Sequence, residues 1–152
     1  MIVQTRFFGK VDISDDKIIV FERGLMGFEE CKNFTLLYDI EKEERPVITW
    51  LQSLDEPSLA LPVINPLVVK PDYNPTVEDE LLRHLGELND ENVVLLLTLT
   101  VPDDIKNMTA NLKAPLIINS DTKKGVQIIV ENSDYKVKYN IYDVLKGKKG
   151  AD

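Results

Sequence analysis

The chain has one cysteine, Cys31, one histidine, His84, and one tryptophan, Trp50. A single cysteine excludes an internal disulfide and fits a reducing compartment. A single histidine, with no second histidine or cysteine in ligand spacing, argues against a zinc site. His84 falls at the edge of an apolar helical stripe and reads as a partly buried structural side chain. A Cys31–His84 nucleophile pair finds no support in the flanking residues. A G-x-S-x-G elbow and a G-x-x-x-x-G-K-S/T phosphate loop are both missing. Gly24 and Gly27 are too few for a dinucleotide fingerprint, and Asp12, Asp15 and Asp16 lack the spacing of a calcium loop. No residue pattern calls for a metal or a cofactor. Carboxylates are plentiful enough to leave a glycosidase-type acid pair open, but no aromatic-lined sugar site is apparent.

Long apolar runs are missing too: none approaches the ~20 residues of a membrane span. Residues 1–6 show no charged leader followed by an apolar core, so no signal peptide is expected, and the expected location is the cytoplasm. Basic charge is in deficit. The 18 Lys and Arg face 26 Asp and Glu, a net charge of −8. Nucleic acid and anionic membrane, which demand clustered Lys and Arg, are therefore not expected as direct partners. The deficit is uneven. Residues 121–152 carry seven Lys and five acids, whereas residues 72–91 carry seven acids against Arg83. That acidic stretch reads either as a solvated helix face or as a docking surface for a basic partner.

What is present is ordinary globular composition, 43% hydrophobic and 29% charged over 152 residues. That suits one domain, residues 1–145, with a Lys/Gly tail over 146–152. Short β-branched and aromatic runs recur between turn residues. Strand-like pieces flank Gly9, and further runs cover 17–21 and 33–38, with a charged turn over 39–45. Residues 47–52 and 59–64 read as a strand pair around the turn 53–57. Pro62 has no amide hydrogen, so the second strand should be an edge or bulged there. Thr76 and Asp79 resemble a capping box opening a helix to residue 88, with Val77, Leu81, Leu82, Leu85 and Leu88 on one face. Residues 92–101 read as a central strand. Residues 108–118 alternate, with Pro115 at a bend, and 119–125 connects a hairpin. Residues 126–130 and 135–141 read as a last hairpin about Asn132-Ser133-Asp134, with Tyr135, Val137, Tyr139 and Ile141 inward. The pattern predicts an all-β, mainly antiparallel domain, a small barrel or sandwich with one short amphipathic helix.

The loop 22–29 stands out. Gly24 and Gly27 predict positive φ at one or both positions. Leu25, Met26 and Phe28 cannot all sit comfortably in solvent. They form either a plug at one end of a barrel or an apolar contact patch in which methionine adapts to a partner.

Several blocks, in this order and spacing, resemble the flagellar assembly factor FliW family over nearly the whole chain. They are Gly9-Lys10-Val11; Phe21 to Glu29; Trp50-Leu51-Gln52-Ser53 followed by Leu59-Ala60-Leu61-Pro62-Val63; Pro71-Asp72-Tyr73; and Thr109 to Asn119 followed by Gly125-Val126-Gln127. Met26 departs from a frequent proline, and Leu59-Ala60-Leu61 from a frequent phenylalanine-containing run. The resemblance implies a non-enzymatic protein that binds the RNA-binding regulator CsrA away from its RNA surface and lifts its repression of flagellin translation. It also implies that flagellin binds and competes. The free protein is expected to be a monomer. Net acidity would speed association with a basic RNA-binding partner. The expected contact residues are Leu25, Met26, Phe28 and Glu29 with Asp72, Tyr73, Glu78 and Asp79, an apolar anchor rimmed by acids. Phe28 and Tyr73 stand equally as core. Trp50 reads as core. From other classes, a small-molecule-binding barrel or hydrolase and a general chaperone remain as alternatives.

Overall fold

The apolar runs on either side of the 53–57 turn do pair. β5 (Ile48–Ser53) and β6 (Ala60–Ile64) run antiparallel, with Trp50 opposite Pro62 and Leu51 opposite Leu61. The computed structural model describes residues 1–37 and 48–145. The expected charged turn 39–45 and tail 146–152 lie outside them. Before this pair come β1 (Ile2–Gln4), β2 (Lys10–Asp12), β3 (Ile19–Phe21) and β4 (Asn33–Leu37). After it come α1 (Pro66–Val69), α2 (Asp79–Leu82), β7 (Val93–Thr100), β8 (Thr109–Ala110), β9 (Leu116–Asn119), β10 (Lys124–Gln127) and β11 (Tyr139–Asn140).

Seven strands close into a ring in the order β7-β6-β5-β4-β3-β10-β9, the last of which returns to β7. Every pairing in the ring is antiparallel except β10 with β3, where Lys124 lies opposite Val20. The all-β, mainly antiparallel expectation therefore holds, and the domain is a barrel. Alternation along each strand sends one set of side chains inward. Phe21, Phe34, Leu51, Val63, Leu96, Leu116 and Ile118 fill the interior. The opposite set meets two outer layers. Ile64, Leu97 and Leu99 pack under α1 and the segment leading to Tyr135 and Ile141. Ile117, Val126 and Ile128 pack under Leu85 and the partly buried Leu81 and Leu82.

Two expected elements differ. The helix over 76–88 is only the four residues of α2 followed by a 3-10 turn, Arg83–Leu85. Thr76 does not cap it. Its amide donates to Asn132 Oδ1 (2.6 Å) and its carbonyl accepts from the Glu131 amide (2.9 Å), which holds 76 extended. The N-cap is Glu78, whose side chain caps nothing. The last hairpin does not form either. The Val130 amide donates to the Lys113 carbonyl, and the Leu112 amide donates to the Lys136 carbonyl. Segment 111–115 thus lies between the two arms and takes the bonds they were expected to exchange. β11 pairs with β8 instead, and Val137 is exposed. The inward positions Ala110, Leu112, Ala114, Leu116 and Ile118 are buried as the alternation predicts.

The β5–β6 turn is fastened to the start of β4 by one carboxylate. Asp55 Oδ2 accepts from the Lys32 and Asn33 amides (2.7 and 2.9 Å), and Oδ1 from Asn33 Nδ2 (3.2 Å). Partial burial pushes its pKa up, but these donors outweigh that and leave it below the ordinary 3.8. A depressed folded pKa stabilises above the ordinary value and loses that stabilisation as pH falls through the folded one. Asp55→Ala is expected to lower stability by about 1–2 kcal/mol at pH 7. Urea unfolding should show that difference shrinking below about pH 4. A pH-independent difference would assign the effect to packing.

Candidate protein-binding surface

The loop after β3 is built around its two glycines. Gly24 has φ +67° and Gly27 φ +87°, as their spacing predicts. Residues 25–28 close a tight turn: the Phe28 amide donates to the Leu25 carbonyl (2.8 Å) and the Leu25 amide to the Phe28 carbonyl (3.3 Å). Gly27 holds the third position, where a type II turn needs positive φ. The Met26 amide donates to Gln127 Oε1 (2.9 Å), and Gln127 Nε2 donates to the Ala114 carbonyl (3.0 Å). The turn is therefore fixed to β10. Glu29 Oε1 accepts from the Gly27 amide at 3.4 Å.

The loop divides between core and surface. Leu25, 2% exposed, plugs the barrel interior, while Met26 and Phe28 are 46% and 40% exposed. Glu29 is also exposed. Of the second expected group, Asp72 is exposed and pairs with Lys70 at 3.1 Å, which raises the lysine's pKa. Glu78 and Asp79 are exposed at the start of α2. Tyr73 is 6% exposed and is core. Its ring stacks on Tyr135 at 4.9 Å, and its hydroxyl donates to the Leu112 carbonyl (2.8 Å). Burial pushes its phenol well above the usual value. Leu25 and Tyr73 therefore position neighbours and present no side chain. The two groups also belong to different layers, Leu25 to the barrel interior and Tyr73 to an outer layer.

One surface escaped the sequence reading. Trp50 is only half-buried and points outward, with the Phe7 ring 4.5 Å away. The Arg6 guanidinium lies 5.0 Å from the Phe7 ring. Beside them a groove of about 580 Å³ opens between Trp50, Pro62, Leu99, Val101 and Met108. Pro62 was its one sequence signal, since a proline in a paired strand marks where the ladder must stop.

Among the described residues no group of three or more His, Cys, Asp or Glu side chains is placed to hold a metal ion, and no helix is long and apolar enough to cross a membrane. His84 is half-buried, as expected, with Nε2 enclosed and unpartnered. A ligand inside the barrel would need an open, polar-lined interior, and apolar side chains occupy that space.

These features define a class, a small closed β-barrel with a filled interior and two outer layers of core. A family model described as FliW protein matches residues 2–141. A flagellar assembly factor FliW of Lachnospira eligens is 55% identical over 147 residues, 96% of this chain and 97% of that one. That of Lachnoclostridium phytofermentans is 52% identical over 148 residues, 97% and 95% of the two chains. A crystal structure of the flagellar assembly factor FliW superposes with a TM-score of 0.83 at 34% identity, covering 93% of this chain and 97% of the other. The chain belongs to the FliW family.

Proposed function

We propose that this protein is a flagellar assembly factor that acts by binding, without catalysis, in the cytoplasm. It binds CsrA away from the RNA surface, relieves repression of flagellin messenger RNA, and also holds flagellin, which competes with CsrA for it. The free protein is a monomer. The observation that carries this reading is the family match across residues 2–141. Two physical features support it. Met26 and Phe28 are apolar side chains held out on a turn of defined geometry, so little entropy is lost when a partner covers them. The exposed acids Asp72, Glu78 and Asp79 belong to a chain of net charge −8, which draws in a basic partner.

Size exclusion of the protein mixed with purified CsrA at micromolar concentration is expected to give one shared peak, which added flagellin resolves. Two independent peaks from the start would count against the reading. The double variant Glu78→Lys, Asp79→Lys should slow association by about tenfold at low salt and much less at high salt, as expected of screened steering. An unchanged low-salt on-rate would remove the acidic residues from the interface.

A further inference from the structure

The groove beside Trp50 follows from a single missing hydrogen. In an antiparallel ladder a residue's N–H and C=O point to the same neighbour, and the side alternates along the strand. The Ser53 amide donates to the Leu59 carbonyl (2.9 Å), so Leu59, Leu61 and Val63 turn their backbone to β5. Ala60, Pro62 and Ile64 then turn theirs to β7. On β7 the Thr98 carbonyl accepts from the Asn111 amide (3.0 Å). Leu97, Leu99 and Val101 therefore face β6. Ile64 meets Leu97 and Val63 meets Thr98 as expected. The next facing pair would be Pro62 with Leu99, and proline has no N–H for the Leu99 carbonyl. The ladder ends there. β7 goes on to pair with β8 through Leu99 and Thr100.

The result is a sheet edge inside the fold. The Val63–Thr98 match gives the Pro62 carbonyl to the Leu99 amide, so the backbone of Ala60 and the carbonyl of Leu99 are what face the gap, whose lining is mostly apolar. Such a gap suits an extended strand better than a helix, because a helix satisfies its own backbone and would leave these groups unpaired. Charge sets the direction. Among the described residues Arg6 is the one ionised side chain lining the groove, and none of the described ion pairs engages it. Its guanidinium reaches the Ser58 carbonyl (3.4 Å), just before the start of β6. A strand antiparallel to β6 brings its C-terminal end there.

We propose that the gap between β6 and β7 accepts an extended segment of a partner protein, apolar at alternate positions and acidic at its C-terminal end. The segment adds as a strand against β6 and lays its carboxylate on Arg6. Strand addition draws affinity from main-chain bonds and selectivity from the side-chain pockets. This surface is separate from the Met26–Phe28 turn and does not rest on the CsrA reading.

The sole tryptophan reports the test, since Trp50 lies in the groove. Titration with the peptide acetyl-Thr-Val-Thr-Val-Thr-Asp-amide is expected to shift Trp50 emission to the blue and to saturate. N-methylation at alternate residues should weaken binding by about tenfold or more, the equivalent of about 1.4 kcal/mol. Lysine in place of the aspartate should also weaken it, and Arg6→Glu should reverse that preference. Pro62→Val restores the missing N–H and should close the gap and abolish the shift. Val101→Asp, at an exposed position, should do so without touching the ladder. Four outcomes would overturn the proposal. They are no saturable shift at millimolar peptide, equal binding of the N-methylated peptide, equal or tighter binding of an aminoisobutyrate-rich helical peptide, and an emission shift with protein concentration alone, which would assign the groove to a second copy.

Discussion

Phe34→Ala is expected to lower stability by about 3–5 kcal/mol, the range for truncating a fully buried phenylalanine. Phe34 has no solvent exposure and meets the Phe21 ring edge-on at 5.5 Å between centroids. It sits on β4, with Ile19 opposite on β3 and Ser53 opposite on β5. A cavity at this point cannot collapse by sliding one element, because the strands of a closed ring are held from both sides. The edge-to-face contact with Phe21 is lost as well. Thermal unfolding followed by circular dichroism should show the midpoint falling by on the order of 10 °C for a domain of this length. Phe34→Leu should recover most of the loss. A shift under about 1 kcal/mol for Phe34→Ala would mean that the interior is loosely packed.

Gly24→Ala is expected to cost about 3 kcal/mol, and Gly27→Ala only about 1–2 kcal/mol. Both residues have positive φ, which penalises any side chain. They differ in what a Cβ would meet. At Gly27 there is nothing within 4 Å, so only the backbone term applies. At Gly24 the new carbon would run into the Glu29 main chain, 2.6 Å from its Cα and closer still to its carbonyl oxygen. Main chain cannot swing aside as a flexible side chain can. The turn must open, and opening it withdraws Leu25 from the barrel and displaces Met26 and Phe28. Urea unfolding of the two variants separates the clash from the backbone term. If the Met26–Phe28 turn carries CsrA binding, Gly24→Ala should weaken it by more than tenfold even where the protein remains folded. Equal stability of the two variants would show that the 24–29 approach is not tight in solution.

How far the sequence alone reached depended on where each segment finds its hydrogen-bond partners. The β5–β6 pair, the two-glycine turn and the β9–β10 hairpin were legible because their partners are close in sequence and their turns carry the expected residues. Residues 126–141 show the opposite case. Their inward pattern was right at Tyr135 and Ile141 and wrong at Val137, because segment 111–115 enters between the two arms. The helix was overestimated for a similar reason. Asn132 bonds to both the Thr76 amide and the Asn74 carbonyl, so the chain stays extended until Glu78. Neither effect leaves a local trace. Of the expected contact residues, the exposed ones are polar or lie beside glycine. Leu25 and Tyr73 looked equivalent to them because composition does not tell a plug from a knob. The sequence points to Trp50 as core because both faces of its strand are largely apolar. The outer face earns its partial exposure from a proline on the neighbouring strand, a nonlocal cause.

The parallel pairing of β10 with β3 also governs how the protein can be made. It joins Val20 to Lys124, with more than a hundred residues between them, and it is the contact that shuts the ring. Closing so long a loop is slow, because chain entropy is surrendered before the contact rewards it. On the ribosome, β3 to β6 can pair as they emerge, but their apolar inner face stays uncovered until β10 follows. Synthesis must therefore pass residue 127 before any nascent chain can hide Phe21 and Phe34 behind a closed wall. Chains arrested earlier expose that face and two unpaired edges, which makes them substrates for aggregation or degradation.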